Sequence, residues 1–281
     1  MSAASETICY FNDAFVPLNE AAISPYDLGF LRGYAVFDMM PVVNGRPFFW
    51  ERHYERLKRS ASALGLAVPV SAPGYKKIID ELIARNTFRE MSLRTVLSGG
   101  PSRDGFAPEA HQETFLVLAE EAHQYPQAIY TEGVKMITLA YERPLPQVKL
   151  ANHAIAIQDL PRRQAAGAFE ALYVNGGTVS EASQSNLFIV KDSILITTWD
   201  NVLWGITQGV VLELAAGLRI ATEKRDIRVE ELLAADEVFI TGSSKALVPV
   251  VQVDETAIGD GAPGEMTRRL MAAFEKLVRE Y

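Results

Sequence analysis

Apolar and polar positions alternate with a period of two through much of both halves of the chain, and with a period near four in a few separate stretches. The first alternating stretch, residues 7–16, turns at Asn12-Asp13 and reads as a hairpin. Residues 35–50 repeat the pattern around Asn44-Gly45, a dipeptide suited to the positive φ angles of a two-residue hairpin turn. Helical spacing follows in residues 51–66, with Tyr54, Leu57, Ala61 and Leu64 on one face, and again in 73–85. Residues 92–100 and 113–121 read as strands separated by a Gly/Pro-rich loop from 99 to 108. The chain is then polar from 122 to 133, which reads as a linker.

Beyond it the pattern predicts strands over 134–141, 171–175, 178–182, 186–192, 193–199 and 237–242. Helices are expected over 151–168, 207–218 and 265–280. Strands outnumber helices and most suit antiparallel or mixed pairing. This predicts an α+β protein with a first domain over 1–121, a linker over 122–133 and a second domain over 134–281.

Composition narrows the function classes. The formal net charge of −8 argues against nucleic acid or an anionic membrane as main partner, while leaving room for a local anion pocket. One cysteine, Cys9, permits no intrachain disulfide. The opening residues lack a basic stretch leading into a long apolar run, and no apolar run approaches the roughly 18 residues of a membrane span. A cytoplasmic protein is expected. No cluster suggests a metal centre.

Two loops suit a phosphate. Trp204-Gly205-Ile206-Thr207-Gln208 opens a helix, and Thr241-Gly242-Ser243-Ser244 follows a strand; each offers a glycine, hydroxyl groups and N–H groups at a turn or helix start. Lys149 is flanked by apolar residues, which favours the neutral, nucleophilic amine. Glu181 is a carboxylate in an apolar strand region, suited to a protonated ring nitrogen. Arg56, on a helix, suits a phosphate oxygen. Each of these also reads as an ordinary cap or solvated charge when taken alone; their combination is what matters.

That combination resembles the class IV (fold-type IV) aminotransferases, a family that includes branched-chain and D-amino acid aminotransferases and aminodeoxychorismate lyase. The resemblance spans Tyr10 to Phe274. It rests on Asp27-Leu28-Gly29…Gly33…Val36-Phe37-Asp38, His53…Arg56-Leu57, Lys149…Asn152, Glu181…Asn186-Leu187-Phe188, Gly205-Ile206-Thr207 and Ala235-Asp236-Glu237-Val238-Phe239. It implies a small α/β N-terminal domain, a larger barrel-like mixed C-terminal domain, and pyridoxal 5′-phosphate as cofactor.

Carried over by position, the resemblance implies that Lys149 bonds the cofactor and shuttles the substrate proton. Glu181 pairs with the pyridine nitrogen, and Arg56, Ile206, Thr207 and Ser243 bind the phosphate. Leu203 packs on the ring, and His153 stands where some relatives place a tyrosine near the ring hydroxyl. The family is dimeric, with its site at the domain junction and a partner loop near Arg32 contributing to it.

Departures bear on the substrate. Leu28 stands where arginine is usual, Arg32 and Tyr34 replace an aromatic and an aspartate, and Gln208 replaces a frequent arginine. Ser92 replaces the tyrosine of branched-chain enzymes, and Gly99 the arginine of many D-amino acid enzymes. Arg32, Arg94 and Arg103 are the remaining carboxylate clamps, with Phe37 and Ser244 completing the expected substrate contacts. The expectation is a homodimeric transaminase that takes an amino group from an amino acid, leaning D, and delivers it to a 2-oxo acid such as 2-oxoglutarate or pyruvate. The alternatives are an L-branched-chain aminotransferase and a lyase of the aminodeoxychorismate type.

Overall fold

The computed structural model describes residues 7–281; residues 1–6, on which part of the leader-peptide expectation rests, lie outside the described residues. The chain divides into two compact units. The first runs to His123 and adds Val148–His153 and Tyr281; the second comprises Gln124–Gln147 and Ala154–Glu280.

In the first unit, strands β1 (Ile8–Phe11) and β2 (Ala14–Pro17) form the expected hairpin, with Asn12 at φ 54°. A short helix α1 (Leu28–Arg32) follows, then β3 (Ala35–Val43) and β4 (Arg46–Pro47). Asn44 and Gly45 take φ of 51° and 74°, as the tight β3–β4 turn requires. Helices α2 (Trp50–Ala63) and α3 (Ala72–Arg85) precede strands β5 (Met91–Ser98) and β6 (Thr114–Glu121). The sheet order is β2-β1-β6-β5-β3-β4, antiparallel throughout.

Alternation sends Val36 and Met40, with Leu93 and Leu97, inward onto Tyr54, Leu57, Tyr75 and Ile79 of the two helices. The same period sends the charged Asp38 inward. Phe37 and Met39 go to the other face, opposite Val96 and Arg94.

Val148–His153 falls within the expected second domain. It joins the first unit because Val148 enters that core, and because Leu150 bridges to Val36 with Phe37 N–H donating to the Lys149 carbonyl (3.0 Å). The expected linker is also partly structured: helix α4 (Ala128–Thr131) presents Ile129 and Tyr130 to the second unit's core.

The second unit continues with β7 (Val134–Ala140), α5 (Ala154–Gln158), α6 (Leu160–Ala165), β8 (Glu170–Asn175), β9 (Thr178–Ala182), β10 (Asn186–Lys191) and β11 (Ile194–Thr197). In place of the single helix expected over 151–168 there are two short ones, since Pro161 has no N–H to donate back and starts α6 instead. Next come α7 (Ile206–Gly217), β12 (Thr222–Lys224), β13 (Ile227–Arg228), α8 (Val229–Leu233), β14 (Glu237–Gly242), β15 (Ala246–Val253), β16 (Thr256–Ala257) and α9 (Glu265–Glu280).

The sheet order is β12-β11-β10-β14-β15-β7-β8-β9-β13, with β16 on β15. It is mixed, because β7 runs parallel to both β15 and β8. It curls into a half-barrel: the Thr198 hydroxyl just past β11 donates to the Ser180 carbonyl in β9 (2.6 Å). Leu187, Val238, Ile240 and Val248 fill the inside. Phe188 stacks on Phe239 on the opposite face, which α7 and α9 cover. The central strand β15 escaped the sequence pattern because Pro249 interrupts its apolar run. The parallel ladder to β7 begins only at Val250, one residue beyond the proline. Among the described residues no helix is long and apolar enough to cross a membrane.

Candidate active site

Lys149 is held by its main chain in the first unit. Its N–H donates to Ser60 Oγ of α2 (3.1 Å), its carbonyl accepts from Phe37, and its Nζ lies 4.6 Å from the centre of the Phe37 ring. His153 meets the same ring edge-on at 5.4 Å. Phe37 therefore meets both the expected attachment lysine and His153.

Arg56 does not project from the surface of α2. It is buried, and a fork of Nε (2.8 Å) and Nη2 (2.9 Å) donates to Asp38. His53 Nδ1 lies 2.6 Å from the same carboxylate. Burial alone would raise the Asp38 carboxyl, but Arg56 and His53 outweigh it and hold the group well below the usual carboxylate range. Burial lowers the His53 imidazole, helped by the cations Arg56 and Lys149 and opposed by Asp38.

The expected carboxylate clamps are placed differently from one another. Arg94 shares the Phe37 face, 5.9 Å from that ring, and donates through Nε to Glu120 (2.9 Å). Arg103 is 92% exposed and pairs with Glu109 at 3.3 Å. Arg32 ends α1, exposed, with Nη1 donating to the Leu31 carbonyl.

In the second unit Glu181 is buried on β9. It pairs with Arg143 and accepts the Leu203 N–H at 3.2 Å. The Leu203 carbonyl accepts from Asn186 Nδ2 (2.6 Å), so Leu203 is tied to Glu181 on one side and to β10 on the other. Gly205 caps α7 without a side chain, which leaves the N–H groups of the helix's first turn with no side-chain acceptor. Nothing larger fits there, since a Cβ would lie 2.0 Å from Asn186 Oδ1. Gln208 braces the turn. It is buried, accepts from the Gly205 N–H and donates to Thr197 Oγ1 and the Thr198 carbonyl.

Thr241 lies opposite Asn186 in the ladder, and its buried hydroxyl has no hydrogen-bond partner among the described residues. A buried hydroxyl without a partner is uncommon. Together with the open first turn of α7 and the partly exposed Ser243, it suits the oxygens of a phosphate. The residues present thus fit the cofactor that the resemblance implies. Ser244 is exposed on the same turn.

Behind that turn Lys245 forms a buried ion pair with Glu170 of β8, which also accepts from Ser185 Oγ (2.8 Å) and the Gln184 N–H (2.8 Å). The pair ties the 242–245 turn to the 183–185 loop. Burial favours the neutral Glu170 acid, yet Lys245 and these hydrogen bonds prevail and hold its carboxyl below the ordinary value of 4.5. A carboxyl depressed in this way adds stability above its unfolded-state value, and that stability is lost as pH falls through the folded-state value. Glu170→Gln is expected to destabilise the protein by about 3 kcal/mol at neutral pH, because it leaves Lys245 buried without its charge partner. The variant should also flatten the decline in stability below the ordinary carboxylate value. Urea unfolding of both proteins across acidic and neutral pH checks this, and an equal loss at every pH would remove the ion pair as the cause.

The sequence pattern placed Thr241 in a phosphate-suited loop but gave no role to Asp38, His53, Arg143 or the Glu170–Lys245 pair. For Asp38 a signal existed, since a charge at an inward position of a strand that otherwise alternates cleanly needs a buried partner. The partners of Arg143 and Lys245 lie 38 and 75 residues away and left no local trace.

Comparison with known proteins places this geometry. The model of the family described as amino-transferase class IV matches residues 35–253. A D-alanine aminotransferase of Bacillus licheniformis is 30% identical over 277 residues, covering 95% of this chain and 96% of its own. A putative branched-chain-amino-acid aminotransferase of Methanocaldococcus jannaschii is also 30% identical over 277 residues, covering 95% of each. Among solved structures, the branched-chain amino acid aminotransferase of Escherichia coli superposes with a TM-score of 0.90 at 25% identity, covering 97% of this chain and 95% of that one. The branched-chain aminotransferase of the archaeon Thermoproteus uzoniensis, solved with norvaline, gives 0.87 at 26% identity, covering 97% and 94%. The chain belongs to the class IV aminotransferases and is a pyridoxal-phosphate-dependent enzyme of fold type IV.

Proposed function

We propose that this aminotransferase takes its amino group from a D-amino acid, such as D-alanine or D-glutamate, and delivers it to a 2-oxo acid such as 2-oxoglutarate or pyruvate. Lys149 is the catalytic residue: its amine would hold the cofactor, and would take and return the proton at the substrate Cα. Bound pyridoxal phosphate supplies the electron sink that makes this proton removable. Glu181 would hold a proton on the ring nitrogen, Leu203 would pack on the ring, and His153 would serve the ring hydroxyl. The phosphate would be bound by Arg56, Ile206, Thr207 and Ser243, as the resemblance implies.

The observation that carries the donor reading is the Phe37 face of the first unit. The Lys149 amine lies on that ring and the Arg94 guanidinium is 5.9 Å from it. Ser92, which alternates onto the same face, supplies only a small hydroxyl where branched-chain enzymes have a tyrosine. A cation near the reacting lysine favours anchoring the substrate carboxylate on this side, as the D reading needs. Arg32, Arg103 and Ser244 are the further substrate contacts in this reading.

The L-branched-chain reading draws on the equal similarity to the Methanocaldococcus relative. A panel of both enantiomers of alanine, glutamate and leucine with 2-oxoglutarate separates the two. We expect measurable transfer from D-alanine or D-glutamate and little from L-leucine; preference for L-leucine over every D-donor would overturn the proposal. Elimination without amino transfer would instead mark a lyase.

We further propose that the chain acts as a homodimer. Phe30 and Tyr26 are 78% and 65% exposed, and Phe30 borders an apolar cleft of about 480 Å³ lined also by Val96 and Leu116. Light scattering that returned a monomer would remove this part.

A further inference from the structure

Helix α2 buries an apolar face in the first unit, yet one stripe of that face is polar. His53, Arg56 and Ser60 are all buried, and their spacing of three and four residues places them on one side of the helix. Ser60 holds the Lys149 main chain, and His53 and Arg56 both hold Asp38. Asp38 has both oxygens engaged: Oδ2 accepts from Arg56 Nε, and Oδ1 accepts from Arg56 Nη2 and lies within hydrogen-bond distance of His53 Nδ1.

The fork on Asp38 uses the Nε and Nη2 side of the guanidinium. A carboxylate gripping that edge fixes the plane of the group and the direction in which Nη1 points. Through the shared helix face it also fixes the arginine relative to the lysine anchored on Ser60. We infer that Asp38 is a positioning residue, which orients Arg56 toward the cofactor phosphate and is itself held in place by His53. This rests on the reading of Arg56 as a phosphate residue.

Orientation and simple charge counting predict opposite changes at Asp38. Asp38→Asn makes the cluster one unit more positive, so attraction alone would tighten phosphate binding. Loss of orientation predicts weaker binding, because an amide cannot accept both guanidinium N–H groups and the imidazole N–H with the strength of a carboxylate.

The test uses full-length apoprotein and compares affinity for pyridoxal phosphate with affinity for pyridoxal, which lacks the phosphate, by quenching of protein fluorescence. The ratio of the two isolates the phosphate contribution. It is expected to fall about tenfold in Asp38→Asn, the scale of one charge-assisted hydrogen bond, and at least as far in Arg56→Ala. An unchanged or higher ratio in Asp38→Asn, with a lowered one in Arg56→Ala, overturns the positioning role while leaving Arg56 on the phosphate. An unchanged ratio in Arg56→Ala removes the reading beneath it. Equal weakening toward both ligands in Asp38→Asn would mean a merely structural role and also overturns the inference. Should Asp38→Asn fail to fold, His53→Gln loosens the same carboxylate by one contact; a ratio lowered about threefold supports the role, and an unchanged one overturns it.

Discussion

Replacing Lys149 by alanine is expected to lower turnover by about three orders of magnitude, since both the covalent attachment and the proton carrier at Cα are lost together. Its main chain should stay in place, because the contacts that hold it, from Ser60 and Phe37, are made through backbone N–H and carbonyl groups. The variant should therefore keep its thermal stability and bind pyridoxal phosphate reversibly. Borohydride reduction followed by peptide mass analysis should mark Lys149 in the parent protein and nothing in the variant. Turnover close to that of the parent, or a label on another lysine, would sink the assignment. Lys245 is the natural control, as it is buried and committed to Glu170.

Glu181→Gln is the second large effect. The carboxylate is buried, with Arg143 and the Leu203 N–H on its oxygens. An amide keeps the shape but loses the charge that would hold a proton on the ring nitrogen, so removal of the Cα proton should slow by about two orders of magnitude. Cofactor affinity should change far less, because phosphate contacts carry most of it. Stopped-flow single turnover with a donor reads the proton step directly. Unchanged single-turnover kinetics would mean that Glu181 serves only its ion pair with Arg143. Substituting Arg143 by methionine, with Glu181 intact, tells the two roles apart: a structural pair predicts similar destabilisation from either change, whereas a role at the ring predicts the larger kinetic loss from Glu181.

Much of the architecture was legible from local pattern. The β1–β2 and β3–β4 hairpins follow from alternation and from Asn12 and Asn44-Gly45, whose backbone requirements are local. Helices α2, α3 and α9 follow from apolar periodicity. Strand β15 did not, because a proline inside an apolar run argues against a central strand unless the register of its neighbour is known. The attachment of Val148–His153 to the first unit left no local trace for a similar reason. Nothing within that short segment reports that its hydrogen bonds go to β3, far earlier in the chain.

The sequence alone determined the family, since its motifs are ordered short patterns whose residue types carry the chemistry: an amine in Lys149, an acid in Glu181, glycine and hydroxyls at the start of α7 and after β14. Only the tertiary structure decided how those groups are held. That Arg56 is gripped by Asp38, that Glu181 is matched by Arg143, and that Glu170 and Lys245 brace the turn carrying Ser243 depends on side chains brought together from distant strands. A buried charge requires a partner but does not say which one, and only the packed fold brings the two within hydrogen-bonding distance.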